Sequence, residues 1–144
     1  MRNRRIRAEA GFTLLEILLV VVIIGMLVGI AVVRLGSRTA QAREVSVKDQ
    51  IRNYGTAINL YELDSGFYPT TEQWLQALIA QPSSPPAPMN WKGPYLEPAV
   101  LRKDPWQRDY IYKYPGQHNP HGYDLYSTGP DGVDGNEDDI GNWQ

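Results

Sequence analysis

From residue 12 to residue 33 the chain is apolar at nearly every position; Glu16 is the one charge inside the run and Arg34 closes it. A helix rises about 1.5 Å per residue, so a run of this length reaches across a bilayer core of about 30 Å. Past Arg34 the pattern turns amphipathic. Val47, Ile51, Tyr54, Ile58 and Tyr61 recur at spacings of four and three, the helical period, with Lys48, Asp49, Arg52 and Asn59 between them. No proline interrupts residues 12–66. The pattern predicts one helix from Phe12 to about Asp64, roughly 80 Å long. Its first half is apolar all round, and its second half has one face to bury.

Gly66, within residues 65–69, is a C-terminal stop for that helix. Thr70-Thr71-Glu72-Gln73 reads as a capping box, a hydroxyl at the N-cap with Gln73 three residues on. A short helix follows, with Trp74, Leu75, Leu78 and Ile79 as its apolar face. Residues 81–88 are proline-rich and read as a stiff, extended surface connection. Residues 109–114 alternate and are β-rich, and residues 123–127 make the returning strand. A short strand near Tyr95 and Leu96 completes a small antiparallel sheet laid on the long helix. The aromatic turns around Trp91 and Trp106 read as packing.

Composition narrows this picture. The 144 residues suit one modest globular domain plus the apolar segment. There is no cysteine, so no disulfide staples the fold. Net charge is −2, and removing residues 1–11, with four Arg and one Glu, takes it to about −5, which weighs against nucleic acid as a partner. The chain has no Gly-x-Ser-x-Gly, no phosphate loop and no ordered Ser/His/Asp set, so no residue reads as catalytic. His118 and His121 lie in a non-helical stretch without the further convergent ligands that a metal needs.

Two places carry chemistry. A carboxylate inside an apolar run costs a few kcal/mol unless it is paired, so Glu16 calls for a nearby positive charge. Cleavage between Gly11 and Phe12 would supply an α-amino group one helical turn away, on its own chain or a neighbour's. Arg2, Arg4, Arg5 and Arg7 form a basic leader that stays in the cytoplasm by the positive-inside rule. An ordinary signal peptide cut at Ala40-Gln41-Ala42 fits less well: the run exceeds the usual apolar region, Glu16 interrupts it, and Ala42 lies well past its end. A plain uncleaved anchor leaves Glu16 unexplained. The second place is the glycine-rich stretch 127–140, which gathers Asp131, Asp134, Glu137, Asp138 and Asp139. Those carboxylates repel one another unless solvated or neutralised. Calcium takes six to eight oxygens from such a loop, but the spacing is not that of an EF-hand, since Asp139 stands where its glycine belongs. Spacing leaves calcium and a solvated acidic turn both open.

Gly11-Phe12-Thr13-Leu14-Leu15-Glu16, after a basic leader and before an apolar helix, resembles the class III signal of the type IV pilin-like superfamily. Residues 68–78, Gly129-Pro-Asp-Gly-Val133 and Asp138-Asp-Ile-Gly-Asn-Trp143 resemble the major-pseudopilin family of type II secretion, with Trp74 where that family usually has a small residue. The resemblance implies an α+β, pilin-like fold: a long N-terminal helix, half membrane-spanning and half amphipathic, packed on a small antiparallel sheet with a C-terminal calcium loop. It implies a cleaved leader (1–11), a transmembrane and filament-core helix (12–34) and a periplasmic globular domain (35–144). A prepilin peptidase would cut after Gly11 and methylate Phe12. Glu16 would recruit and register an incoming subunit through a neighbour's Phe12 amine, and Gly25 and Gly29 would permit close helix approach. Ca2+ would be held by the carboxylates of Asp131 and Asp138 and the carbonyls of Thr128 and Val133, with Asn136 and Asp139 completing the shell and Asp134 and Glu137 outside it. Trp143 would pack the tail back on the domain. The implied function is that of a structural subunit, not an enzyme. It would wait in inner-membrane lipid and polymerise with itself, minor pseudopilins and an inner-membrane assembly platform into a periplasmic pseudopilus that exports folded proteins. The alternatives are a major type IV pilin of a surface fibre, which would ordinarily carry a C-terminal cysteine pair, a membrane-tethered calcium-dependent binding module, and a small tethered hydrolase.

Overall fold

The structure, a computed structural model, describes residues 12–144, without the side chains of residues 30–37. The leader, with Gly11 and its arginines, lies outside the described residues. The chain divides into two compact units, Met1–Ala40 and Gln41–Gln144. In chain order it forms α1 (Leu14–Ser65), a short 3₁₀ helix (Trp74–Leu78), β1 (Ile111–Lys113), β2 (Asp124–Ser127) and β3 (Ile140–Gly141).

In the first unit α1 begins at Leu14, with Thr13 as its cap: the Glu16 N–H reaches the Thr13 hydroxyl at 3.3 Å and the Thr13 carbonyl at 3.1 Å. A side-chain oxygen there satisfies a donor that the first turn cannot. Phe12 therefore precedes the helix, which begins two residues later than the sequence pattern suggested. Glu16 lies in the first turn, where the helix dipole favours negative charge. The apolar side chains from Leu14 to Val28 are exposed all round, as the unbroken apolar run requires. A Cβ at Gly25 or Gly29 would meet open space. Among the described residues no helix is long and apolar enough to cross a membrane; the apolar run itself continues to Val33, through residues whose side chains are not described.

In the second unit the amphipathic stripe does what its period predicts. Val47, Ile51, Tyr54, Ile58 and Tyr61 are all buried, in one core with Leu75, Leu78, Tyr112, Leu125 and Ile140. The Gly66 N–H closes α1 on the Glu62 carbonyl at 2.7 Å, and Gly66 takes φ +81°, a left-handed stop that suits glycine. The capping box is present in full. Thr70 Oγ1 accepts the Gln73 N–H at 3.2 Å, and Gln73 Oε1 accepts the Thr70 N–H at 3.1 Å. The Gln73 amide then donates to the carbonyls of Ser84 and Pro86, tying the proline-rich segment to the same turn. Trp74 has φ +49°, rare for a bulky residue, and its indole N–H is anchored on the Tyr110 carbonyl at 3.1 Å.

The sheet has the order β1-β2-β3, antiparallel throughout. Tyr112 pairs with Leu125, and Ser127 with Ile140. The third strand is therefore Ile140–Gly141 and not the segment around Tyr95 and Leu96. Pro94 and Pro98 remove backbone donors on either side of that segment, and the Tyr95 N–H is spent on the Leu78 carbonyl at 2.7 Å. Tyr54 ties α1 to the strap that follows: its hydroxyl donates to the Arg102 carbonyl at 2.9 Å and accepts the Arg102 N–H at 2.7 Å.

Tyr54→Phe leaves both Arg102 backbone groups without that partner. It is expected to cost about 1–3 kcal/mol, read as a lower urea midpoint with an unchanged slope; an unchanged midpoint would show that water replaces the hydroxyl.

Candidate functional site

β2 and β3 are neighbours in the sheet, and residues 128–139 form the connection between them. The Ser127–Ile140 pairing pins both ends of this acidic loop. Gly129, Gly132 and Gly135 each take a positive φ, of +63°, +77° and +87°, so the chain turns repeatedly in a direction that residues with a Cβ resist. At Gly129 the reason is also steric, because a Cβ there would collide with the Asp138 carbonyl. The two limbs of the loop touch at that point.

The carboxylates divide into two groups. Asp131 and Asn136 meet: Asp131 Oδ1 accepts the Val133 N–H at 3.0 Å and Oδ2 accepts the Asn136 amide at 2.7 Å. The Asn136 carbonyl oxygen of the side chain takes the Asp138 N–H at 2.9 Å. The Val133 N–H, with the Asn136 amide and the Arg108 charge, outweighs desolvation and holds the Asp131 carboxyl below its usual value. Asp139 is buried; its Oδ2 accepts the Gly135 N–H at 2.8 Å, while its Oδ1 has no hydrogen-bond partner. The Thr128 carbonyl accepts only a long bond, 3.3 Å, from Gly132 N–H. Asp138 and Glu137 are exposed. Asp134 belongs to a separate group, with the Tyr126 hydroxyl at 2.6 Å and Lys113 Nζ at 3.3 Å. Those two partners hold its carboxyl down. Among the described residues no three acidic or histidine side chains converge as a metal cluster. The fit to a hard cation rests instead on mixed oxygens and on the buried, unpartnered Asp139 Oδ1, an arrangement costly to leave unneutralised.

Sequence reasoning did not find two supports of the loop, or the acid that orders the neighbouring turn. Arg108 donates to the Gly129 carbonyl. Asp104, fully buried, accepts the Ser127 hydroxyl at 2.6 Å. Asp124, at the start of β2, gathers the N–H groups of Gln117, His118 and Asn119 at 2.6, 2.8 and 3.0 Å. An isolated acid beside prolines and glycines was the available signal, since such acids commonly organise turns. Trp143 packs the tail as expected, stacked on His118 at 3.9 Å and edge-on to Tyr126 at 5.3 Å.

Known proteins resemble this chain over most of its length. The family model described as type II secretion system (T2SS), protein G matches residues 34–143. The chain belongs to the type II secretion system protein G family. A prokaryotic N-terminal methylation motif matches residues 6–32, the stretch that holds Gly11, Phe12 and Glu16. Type II secretion system core protein G of Pseudomonas aeruginosa is 44% identical over 141 residues, covering 95% of this chain and 96% of that one. Its counterpart from Escherichia coli K12 is 43% identical over 136 residues, covering 94% and 91%. The crystal structure of the major pseudopilin from the type 2 secretion system of enterohaemorrhagic Escherichia coli aligns with a TM-score of 0.67 and 39% identity, over 74% of this chain and 87% of that one. The α+β pilin-like fold is thus that of the protein G family, and the match over residues 34–143 favours a secretion pseudopilin over a surface-fibre pilin.

Burial pushes the Asp124 carboxyl up, but the backbone donors of His118, Asn119 and Gln117 outweigh it and hold the group below its ordinary value. Its stabilisation is then complete above the unfolded value of about 3.9 and is lost as pH falls through the lower folded value. Asp124→Asn is expected to cost about 3 kcal/mol at pH 7 and to flatten the acid loss, read as urea midpoints at pH 7 and pH 3. An equal acid loss in the variant would place the titration elsewhere.

Proposed function

We propose that this protein G family member is cut after Gly11, methylated at the Phe12 amine, and polymerised through its N-terminal helix into the periplasmic pseudopilus that drives export of folded proteins across the outer membrane. One observation carries the reading: a methylation motif over residues 6–32 runs directly into a protein G match over residues 34–143 on one chain. Residues 12–34 hold the subunit in the inner membrane by a single span, and residues 35–144 stand in the periplasm. Glu16 pairs with the Phe12 amine of a neighbour. Thr13 supports this by fixing the first turn, so that Glu16 is presented at the very start of the helix. Prepilin peptidase, minor pseudopilins and an inner-membrane assembly platform are the partners that this life cycle requires. The role is structural.

Calcium fits the acidic loop. Asp131, Asp138 and Asp139 would hold it with the carbonyls of Thr128 and Val133 and with Asn136, while Asp134 stays with Tyr126 and Lys113. The unpartnered Asp139 Oδ1 supports this assignment. The ion would supply positive charge that joins the two limbs of the loop.

Chain taken from host membranes should have the mass of residues 12–144 plus one methyl group. Glu16→Ala should melt at the wild-type temperature in detergent yet form no filaments by electron microscopy; normal filaments would remove Glu16 from assembly. For calcium, a chelator should lower the melting temperature of the full-length chain. A ligand present at a hundred times its dissociation constant stabilises by about 2.7 kcal/mol. Asp131→Ala should abolish the chelator effect, and identical melting curves with and without chelator would dismiss the calcium site.

A further inference from the structure

Arg108 enters the acidic loop from outside. Its root is fixed by Asp104, whose Oδ1 accepts the backbone N–H groups of Trp106 at 2.9 Å and Arg108 at 2.8 Å. Asp104 Oδ2 takes the Ser127 hydroxyl at the end of β2 and lies 3.8 Å from Arg108 Nε. From that base the guanidinium donates to the Gly129 carbonyl. It also occupies the space that a Cβ on Gly132 would need. The turn 129–132 is therefore wrapped around a positive charge.

The loop has reason to need one. Residues 128–139 contain five carboxylates and no basic residue. Lys113 pairs with Asp134. Asp131 lies between Gly129 and Gly132, in the turn that Arg108 holds. Like charges on a glycine-rich segment favour an open, disordered loop, and ordering it costs conformational entropy at every residue. A guanidinium stays charged at any physiological pH and offers several donors in a rigid fork, so it can hold a carbonyl and neutralise a carboxylate together.

We propose that Arg108 is a built-in cation of this loop, keeping residues 129–132 in their ligand-presenting shape in the metal-free subunit so that calcium meets a loop already formed. Its purpose rests on the calcium reading above; its hold on Gly129 and Gly132 does not. Arg108 is a positioning residue, acting on the Thr128 and Val133 carbonyls through the turn between them.

The test is amide hydrogen exchange on the full-length chain in detergent, with chelator and with millimolar calcium, for wild type, Arg108→Gln and Arg108→Lys. The Gly132 and Val133 amides report the turn, because both are hydrogen-bonded within it. The Tyr126 amide in β2 reports the fold. In chelator, Arg108→Gln should exchange at Gly132 and Val133 about tenfold faster than wild type or more, the effect of losing a hydrogen bond to a charged donor. Arg108→Lys, which keeps the charge without the fork, should fall between. Calcium should return both variants to wild-type protection. Equal exchange in chelator for wild type and Arg108→Gln overturns the proposal. So does a loss that calcium fails to repair in the variants while it slows exchange in wild type, which would make Arg108 a packing residue only. If Arg108→Gln does not fold, as Tyr126 would show, Arg108→Lys decides by the same comparison. If calcium leaves wild-type exchange unchanged while the difference in chelator persists, the calcium reading fails and the hold of Arg108 on the loop stands.

Discussion

Val47, Ile51, Tyr54, Ile58 and Tyr61 leave water together along one side of α1, and the rest of the second unit is placed by what it lays over them. Burying such side chains contributes about 1.5–3 kcal/mol each, more than the short strands could supply by pairing alone. The 3₁₀ helix brings Leu75 and Leu78 to that surface, β1 brings Tyr112, β2 brings Leu125 and β3 brings Ile140. β2 is buried along its whole length, so its two neighbours and the loops that leave it inherit a fixed position. The acidic loop is one of those. Its place depends on the helix stripe, although no residue of the loop belongs to the core cluster.

The first unit obeys a different constraint. Its apolar side chains are exposed in the single chain, and the hydrophobic effect gives them no stable resting state in water. A lipid bilayer and a bundle of identical helices both satisfy them. A subunit that can use either is suited to being stored and then polymerised, and Glu16 stands in the first turn of that helix.

What could be read from the chain follows the range of the forces involved. The long helix, its buried stripe, its Gly66 stop and the Thr70–Gln73 box were legible because each depends on neighbours within one or two turns. The strand pair around Tyr112 and Leu125 showed in its alternation. β3 did not, since two residues have no period, and the Tyr95 segment misled because its prolines outweigh its aromatic character. The acidic loop announced itself by composition, and Asp131 does meet Asn136. Its partners from elsewhere, Arg108 and Asp104, left no local mark, because their contacts cross 21 and 23 positions of sequence. The start of the helix moved from Phe12 to Leu14 for a small reason, a threonine able to cap it.

β3 is two residues long. So short a ladder has little holding power of its own, and the residues after it add to it: the Asn142 N–H donates to the Leu125 carbonyl at 3.0 Å, its side chain bonds the Leu125 and Tyr123 backbone, and Trp143 lies on His118. The acidic loop and the tail therefore share one fate, since whatever opens the loop unzips β3, and whatever peels the tail slackens the loop. The end of the chain is the latch of its own most charged segment, and a subunit gripped or trimmed at the C-terminus would feel it some ten residues upstream, roughly at the Gly129–Asp138 crossing.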